Sequence, residues 1–359
     1  MPLFQTKKKL NRQELLQRLS SAQLTPQHQE RLLSFLEQAS DDELSRINPK
    51  ALVAAFGLDQ HEILSLFASG FQHGLFLLNW EVQCPACSGS ACYFKGPGDS
   101  YHRITCVGCS NQFEAHFDEH VHITFRVHPS VRTLPPAPKL KTALPKVAAT
   151  THPPLTAHEL LTVQAFRDFF KSETIPESES FEVSRLTLLF TDLTGSTAFY
   201  VRRGDPFAYS LVREHFAILR RVVDKAGGAI VKTIGDAVMA VFITEKAGIE
   251  AALEAQKQIE AFNEAHALPH QDLFMLKIGV HCGPSIYVSL DERLDYFGTT
   301  VNTAARIQNE AKGGEIVFSR QVLDAPGVRE LLKGFSLRDE VLNLKGLDRP
   351  IELWRVQVS

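Results

Sequence analysis

Two aspartates standing where apolar strands give way to turns constrain this chain more than any other feature. Leu186 to Phe190 forms an apolar run that breaks at Thr191-Asp192, and Ala229 to Ile234 leads into Gly235-Asp236 before the apolar pattern resumes over Ala237 to Phe242. Short apolar runs bounded by turn residues are the pattern of buried strands. The second pair reads as a hairpin, because a two-residue Gly-Asp loop joins antiparallel strands and leaves the carboxylate at its tip. If both pieces belong to one sheet, Asp192 and Asp236 project from the same edge. There they could hold divalent cations against a substrate's phosphates.

The residues after Asp192 supply the other half of a phosphate site. Gly195-Ser196-Thr197 opens a helical turn, and free backbone N–H groups at such a start suit a polyphosphate. Gly204 interrupts the turn, and Asp205-Pro206 restarts a helix as cap and first residue. Val212, Phe216, Leu219 and Val223 then form an apolar stripe at spacings of four, three and four, which Gly227-Gly228 ends. Asn302 and Arg306, four residues apart, share one face of a helix that begins near Thr300.

Four ordered segments carry a resemblance: Phe190 to Thr197, Val231 to Ala240, Ile278 to Pro284 (Ile-Gly-Val-His-Cys-Gly-Pro) and Asp295 to Arg306 (Asp-Tyr-Phe-Gly-Thr-Thr-Val-Asn-Thr-Ala-Ala-Arg). From about Ser184 to its end the chain resembles the class III nucleotidyl cyclase catalytic domain, whose members make cyclic AMP or cyclic GMP from the triphosphate. Any one of the segments alone is a weak signal, and their order and spacing make it strong.

The resemblance implies a ferredoxin-like α/β fold, with helices from about Pro206 to Lys225 and Ala247 to Ala265 packed on a mainly antiparallel sheet. It assigns Asp192, Asp236 and the Leu193 carbonyl as ligands of two Mg²⁺ or Mn²⁺ ions. It gives Asn302 and Arg306 the ribose and the charge developing on the α-phosphate, a task that suits the fixed fork of an Arg. Lys345, in Leu344-Lys345-Gly346, resembles a distal lysine that meets the terminal phosphates. Lys232 and Asp295 fall at the base-reading positions. A lysine offers a donor to adenine N1 and an aspartate accepts from the N6 amine, whereas guanine presents the reverse pattern. Guanine-using members generally carry a glutamate and a smaller residue there, so ATP is favoured over GTP, with pyrimidine triphosphates left open. In the family the metal carboxylates and the base-reading residues of one site come from different subunits, so a chain with one complete set is expected to work as a two-fold homodimer.

Five of the six cysteines fall between residues 84 and 109, and Cys84-Pro85-Ala86-Cys87 and Cys106-Val107-Gly108-Cys109 stand 18 residues apart. This is the two-knuckle spacing of a four-thiolate zinc site, open also to iron. The alternative is a pair of disulfides, which a reducing compartment disfavours. Cys92 is then a spare thiol and Cys282 a packed strand residue. His102, His116, His120 and His122 read as strand residues in preference to ligands.

Punctuation divides the chain into a helical region (1–79), a zinc-ribbon-like β domain (80–132), a proline-rich linker (133–156), a helical connecting segment (157–183) and the catalytic domain (184–359). Leu32, Leu33 and Leu36 mark one N-terminal helix, and Asp59 with Glu62 forms a capping box before Ile63, Leu64 and Phe67. Ala157 to Lys171 reads as one helix bearing Leu161, Phe166, Phe169 and Phe170. The helices plus ribbon also look like the uncharacterised N-terminal region of some bacterial cyclases of this class, which names no ligand and leaves room for a regulatory partner.

A net charge of −3 gives no reason to expect nucleic acid or an anionic membrane as partner. Lys7, Lys8 and Lys9 lead into polar, helix-forming sequence, and no apolar stretch approaches a membrane span. A cytoplasmic protein is expected. Three function classes remain in view: an active adenylate cyclase, a catalytically silent cyclase-like nucleotide sensor, and a zinc-ribbon binding protein with a subordinate cyclase domain.

Overall fold

A computed structural model describes residues 11–21, 24–134, 152–170 and 174–358, and of Thr197 the backbone alone. Residues 135–151 of the proline-rich linker, the Lys7 to Lys9 run and Lys171 lie outside the described residues. The chain divides into two compact units, Met1–Glu182 with Val288–Leu294, and Val183–Tyr287 with Asp295–Ser359.

The first unit begins with α1 (Arg12–Ser21), α2 (Pro26–Gln38), α3 (Asp41–Ser45), α4 (Val53–Phe56) and α5 (Gln60–Gln72). Helix α5 starts at the expected capping box. Asp59 Oδ1 accepts the Glu62 N–H and Glu62 Oε2 accepts the Asp59 N–H, both at 2.8 Å. Its buried face, Ile63, Leu64 and Phe67, packs on strands: the Phe67 ring stacks on Phe76 at 4.8 Å and meets Phe125 edge-on at 5.0 Å. The strands are β1 (Phe76–Gln83), β2 (Ser90–Phe94), β3 (Arg103–Thr105), β4 (Gln112–Glu114), β5 (Val121–Val127) and β6 (Leu155–Thr156), in a sheet ordered β2-β1-β5-β6 with β3 and β4 paired apart. Alternation along β5 buries Val121, Ile123, Phe125 and Val127.

The single helix expected over Ala157 to Lys171 is instead two, α6 (Ala157–Leu161) and α7 (Gln164–Phe169). The break falls at the β-branched pair Thr162-Val163, where the Thr162 hydroxyl donates back to the His158 carbonyl at 2.7 Å. Leu161, Phe166 and Phe170 are buried, whereas Phe169 is exposed.

The second unit runs β7 (Phe181–Leu193), α8 (Ser196–Arg203), α9 (Asp205–Lys225), β8 (Ala229–Ile234), β9 (Ala237–Phe242), α10 (Glu245–Ala265), β10 (Leu276–Leu290), β11 (Arg293–Phe297), α11 (Thr299–Asn309), β12 (Glu315–Ser319), α12 (Arg320–Leu323), α13 (Val328–Leu331), β13 (Leu337–Leu342) and β14 (Ile351–Gln357). Strand order is β13-β14-β12-β10-β7-β9-β8, with β11 paired to β10. The stretch from β7 to β10, read as β-α-β-β-α-β with its first and third strands central, has the ferredoxin-like connectivity. Helix α10 begins two residues earlier than expected because Thr244 caps it, accepting the Ala247 N–H at 3.3 Å. Among the described residues no single helix is long and apolar enough to cross a membrane.

Alternation along the strands sorts the helices to opposite faces. Val238, Ala240 and Phe242 of β9, Leu276, Ile278, Val280 and Cys282 of β10, and Ile316 and Phe318 of β12 join one core with α9 and α10. Val317, pointing the other way, packs with Ile307 of α11 and Leu353 of β14. Helix α11 therefore lies on the face opposite α9 and α10. Two glycines of β10 let it lie close: a Cβ on Gly279 would sit 2.3 Å from the Gln308 backbone nitrogen, and one on Gly283 would sit 2.9 Å from Thr300 Oγ1. The glycines of the Ile278 to Pro284 segment are thus seats for the helix that carries Asn302 and Arg306.

Gly279→Ala places a methyl against backbone that cannot swing aside, so it is expected to cost about 1–3 kcal/mol of stability in this unit. Denaturant unfolding reads the loss, and an unchanged midpoint would show that α11 is not seated on Gly279.

Candidate functional site

The antiparallel ladder between β7 and β9 pairs Thr191 with Val238, and the Val238 N–H also donates to Thr191 Oγ1 at 3.2 Å. Asp192 follows Thr191, and Asp236 precedes β9 in the Gly235-Asp236 turn, where Gly235 takes a φ of 63° that a side chain would resist. Both carboxylates therefore stand at one end of neighbouring strands. They differ in what meets them. Asp192 Oδ2 is ion-paired with Lys277 of β10, while Asp236 Oδ2 is buried with no hydrogen-bond partner among the described residues. Lys277 was missed from sequence. It stands at the start of β10, one residue before the Ile278 to Pro284 segment, and only the sheet order shows that β10 lies beside β7.

Leu193 is buried, and the chain then turns through Thr194, whose N–H donates to the Met275 carbonyl at 3.0 Å. Gly195, at a φ of 72°, starts α8 without a side-chain cap, so the N–H groups at Ser196 and Thr197 keep the open helix start expected of a phosphate cradle. The far end of α8 is fastened. Arg202 Nε and Arg203 Nε donate to the two oxygens of Asp272 at 3.0 and 2.6 Å. Burial pushes the Asp272 carboxyl up, but the hydrogen bonds from Arg202 and Arg203 outweigh it and hold the pKa below the usual value. Beside this helix lies a pocket of about 230 Å³ lined by Leu193, Ser196, Phe199, Arg202, Asp272 and Met275 among others.

The two base-reading candidates meet. Lys232 Nζ is ion-paired with Asp295 Oδ2, and Asp295 Oδ1 accepts the Tyr296 N–H at 2.8 Å. Asp295 is buried, and Lys232 sits where the β8–β9 register slips by a bulge between Ile230 and Lys232. On α11, Asn302 is exposed one turn from Arg306. Arg306 lies against the Lys345-Gly346 turn, since a Cβ on Gly346 would be 3.0 Å from its Nη1. Arg306 thereby meets the turn that follows Lys345, although 38 residues lie between the two in sequence.

In the first unit Cys84, Cys87, Cys106 and Cys109 gather with their sulfurs within 4.8 Å of one another. Cys84 and Cys109 sulfurs are 3.7 Å apart and those of Cys87 and Cys106 3.8 Å, too far for disulfides. The two knuckles match. Ser88 N–H donates to the Cys84 carbonyl and Ser110 N–H to that of Cys106, at 2.8 and 2.9 Å, with both serines in the left-handed region. Burial opposes ionisation of Cys84, yet the N–H groups of Cys87 and Ala86 around its sulfur bring its pKa down to about 7. Cys92 and Cys282 are instead pushed up by burial, to about 11 and about 12, as inert packed thiols are.

Of the four nearby histidines only His122 lies in a strand. His102 stands just before β3 and bonds Glu179 at 2.6 Å, and His116 and His120 flank a turn with Glu119. Those three donors are within 4.8 Å of one another, but His120 Nδ1 accepts the His116 backbone N–H at 3.1 Å, which uses a lone pair that a metal would need.

Residues 178–353 match the adenylate and guanylate cyclase catalytic domain, and residues 10–139 match a family of unknown function. Adenylate cyclases of Mycosarcoma maydis and Anabaena cylindrica are each 30% identical to the chain, over 159 and 189 residues covering 39% and 48% of it. The chain spans 6% and 37% of the length of those two relatives. Among solved structures, the adenylyl cyclase CyaB from P. aeruginosa is 24% identical, with a TM-score of 0.43 over 50% of this chain and 95% of that one. Over residues 178–353, just under half of its length, the chain is thus similar to the adenylate and guanylate cyclase catalytic domain.

Proposed function

We propose that the protein is an adenylate cyclase, a phosphorus–oxygen lyase that converts ATP to 3′,5′-cyclic AMP and pyrophosphate in a homodimer with two Mg²⁺ or Mn²⁺ ions at each site. The observation that carries the reading is the pair of sheet-end carboxylates, one with a buried and unpartnered oxygen. A carboxylate oxygen removed from water without a donor is costly, and a hard divalent cation supplies the partner it lacks. When bound, such ions acidify the ribose 3′-hydroxyl and neutralise the triphosphate.

The chain's residues do the remaining work. Asp192, Asp236 and the Leu193 carbonyl face the reacting phosphates, and the open N–H groups at Gly195, Ser196 and Thr197 hold the polyphosphate. The 3′-oxygen loses its proton and attacks the α-phosphorus in line, and pyrophosphate leaves. Arg306 places its fork on the charge that grows at the α-phosphate, Asn302 orients the ribose, and Lys345 beside Arg306 receives the terminal phosphates. Lys232 and Asp295 read the base. Asp192 has Lys277 as its counter-charge until a cation takes that place.

Asp192→Ala or Asp236→Ala is expected to lower turnover by about 10²-fold or more while the dimer stays folded. A cyclase assay with the four nucleoside triphosphates measures both the loss and the base preference, and near-normal turnover in either variant would sink the two-ion assignment. Mixing inactive Asp192→Ala with inactive Asn302→Ala is expected to restore activity, because a mixed dimer holds one site with both defects and one with neither. No recovery after demonstrated subunit exchange would rule out a site shared between subunits.

For the first unit we assign one structural zinc to Cys84, Cys87, Cys106 and Cys109. Four thiolates about 2.3 Å from a tetrahedral ion lie about 3.8 Å apart, which the Cys84–Cys109 and Cys87–Cys106 separations match. Metal analysis is expected to find about one zinc per chain, with Cys84→Ser removing it and unfolding the surrounding strands. Iron in place of zinc, or wild-type protein folded without metal, would overturn the assignment.

A further inference from the structure

Within the second unit, the segment that leads into β10 holds α8 at both ends. Asp272 takes Arg202 and Arg203 at the far end of that helix, and the Met275 carbonyl takes the Thr194 N–H just ahead of its start. Between these ties the Phe274 ring packs against Phe199 of α8, with centroids 5.2 Å apart, and against Phe262 of α10 at 5.3 Å. A Cβ on Gly313 would sit 2.9 Å from Met275 Cβ and 3.1 Å from Thr194 Oγ1, so a further segment closes on the same point. Residues 272–275 thus form a strap along α8, and all of these residues belong to the second unit.

A side chain of α10 sets the strap. Asn263 Nδ2 donates to the Phe274 carbonyl and Asn263 Oδ1 accepts the Phe274 N–H, both at 2.8 Å. A strand paired at that residue would make the same two bonds. The neighbouring strand β12 begins only at Glu315, and the Gly314 N–H before it donates to the Leu276 carbonyl at 2.9 Å. Gln256, seven residues before Asn263 and so on the same face of α10, donates to that carbonyl as well, at 3.1 Å. The two amides of α10 therefore extend the edge that β12 leaves short. With both backbone groups of Phe274 held, the peptide plane that leads into Met275 is fixed, and Met275 carries the carbonyl that meets Thr194. Cavities of about 230 Å³ beside α8 and about 380 Å³ beside α10 are both lined by Leu273, Phe274 and Met275, which gives the strap room to shift once those bonds are lost.

We infer that Asn263 is a positioning residue for the polyphosphate: by holding Phe274 it sets the Met275 carbonyl, and through Thr194 it aims the N–H groups at Gly195, Ser196 and Thr197. The inference rests on the proposed cyclase reading, which makes the start of α8 the phosphate cradle. Its reach is confined to the phosphates, because Lys232 stands on β8, Asp295 on β11, and Asn302 and Arg306 on α11.

The test uses the full chain with Asn263→Leu and Asn263→Asp, and three readouts: calorimetric titration with inorganic tripolyphosphate in Mg²⁺, turnover of the four nucleoside triphosphates, and amide hydrogen exchange. Asn263→Leu, close in size and without either bond, is expected to weaken tripolyphosphate about tenfold and to speed exchange at Thr194. It is expected to raise KM for every triphosphate by a similar factor, so that the preference among bases stays as in the wild type. Asn263→Asp still accepts the Phe274 N–H and is expected to recover part of each loss; it carries the same comparison if the leucine variant does not fold. Unchanged tripolyphosphate affinity, an altered base preference, or unaltered exchange at Thr194 would each overturn the inference. A wild-type protein inactive on every triphosphate would sink the cyclase reading instead, and the titration and exchange would still decide whether Asn263 holds an anion-binding turn through Thr194.

Discussion

The pairing of β7 with β9 governs the catalytic unit, because it brings two carboxylates to one strand end and creates a charge problem that the rest of the site answers. Two like charges close together in a partly buried setting repel by an amount that depends steeply on the local dielectric. Lys277 answers for Asp192 from the adjacent strand, and nothing described answers for Asp236 Oδ2. The edge is thus half-neutralised. On the proposed reading, a cation held there would gain from both acids and take over the place that Lys277 of β10 fills beside Asp192.

The same sheet sets where the side chains of α11 stand. Helix α11 reaches its place because Gly279 and Gly283 leave room on β10, and Arg306 reaches the Lys345 turn because Gly346, with φ at 74°, leaves room there too. Each of these glycines is a hole shaped for something specific. A methyl at Gly279 would press on backbone, whereas one at Gly346 would press on the movable end of an arginine, so the first bears on the fold and the second on the geometry of the site.

What could be read along the chain was what is local. The Gly-Asp hairpin, the Asp59–Glu62 capping box, the helical turn opened by Gly195 and the two cysteine knuckles each depend on residues a few positions apart. The helix predicted through Thr162 failed for an equally local reason, a hydroxyl bonding back to the preceding turn, which pattern counting overlooks. Lys277 beside Asp192 and Arg306 beside Gly346 were not legible. Each joins segments brought together only by strand order or by packing, and neither announces itself by spacing.

On the proposed adenylate cyclase reading, the ion pair between Lys232 and Asp295 bears on the choice of base. The two groups satisfy one another, and a base read by them would have to offer enough to part them. Adenine does so by accepting from the ammonium at N1 and donating to the carboxylate from N6, so each group exchanges its ionic partner for a hydrogen bond of matching sense. Guanine presents a donor to the lysine and an acceptor to the aspartate. Both charged groups would then be separated without compensation in a place where Asp295 is 6% exposed. An unpaired charge there costs more than the hydrogen bond it fails to make, so on the proposed adenylate cyclase reading the ion pair would act as a threshold against guanine.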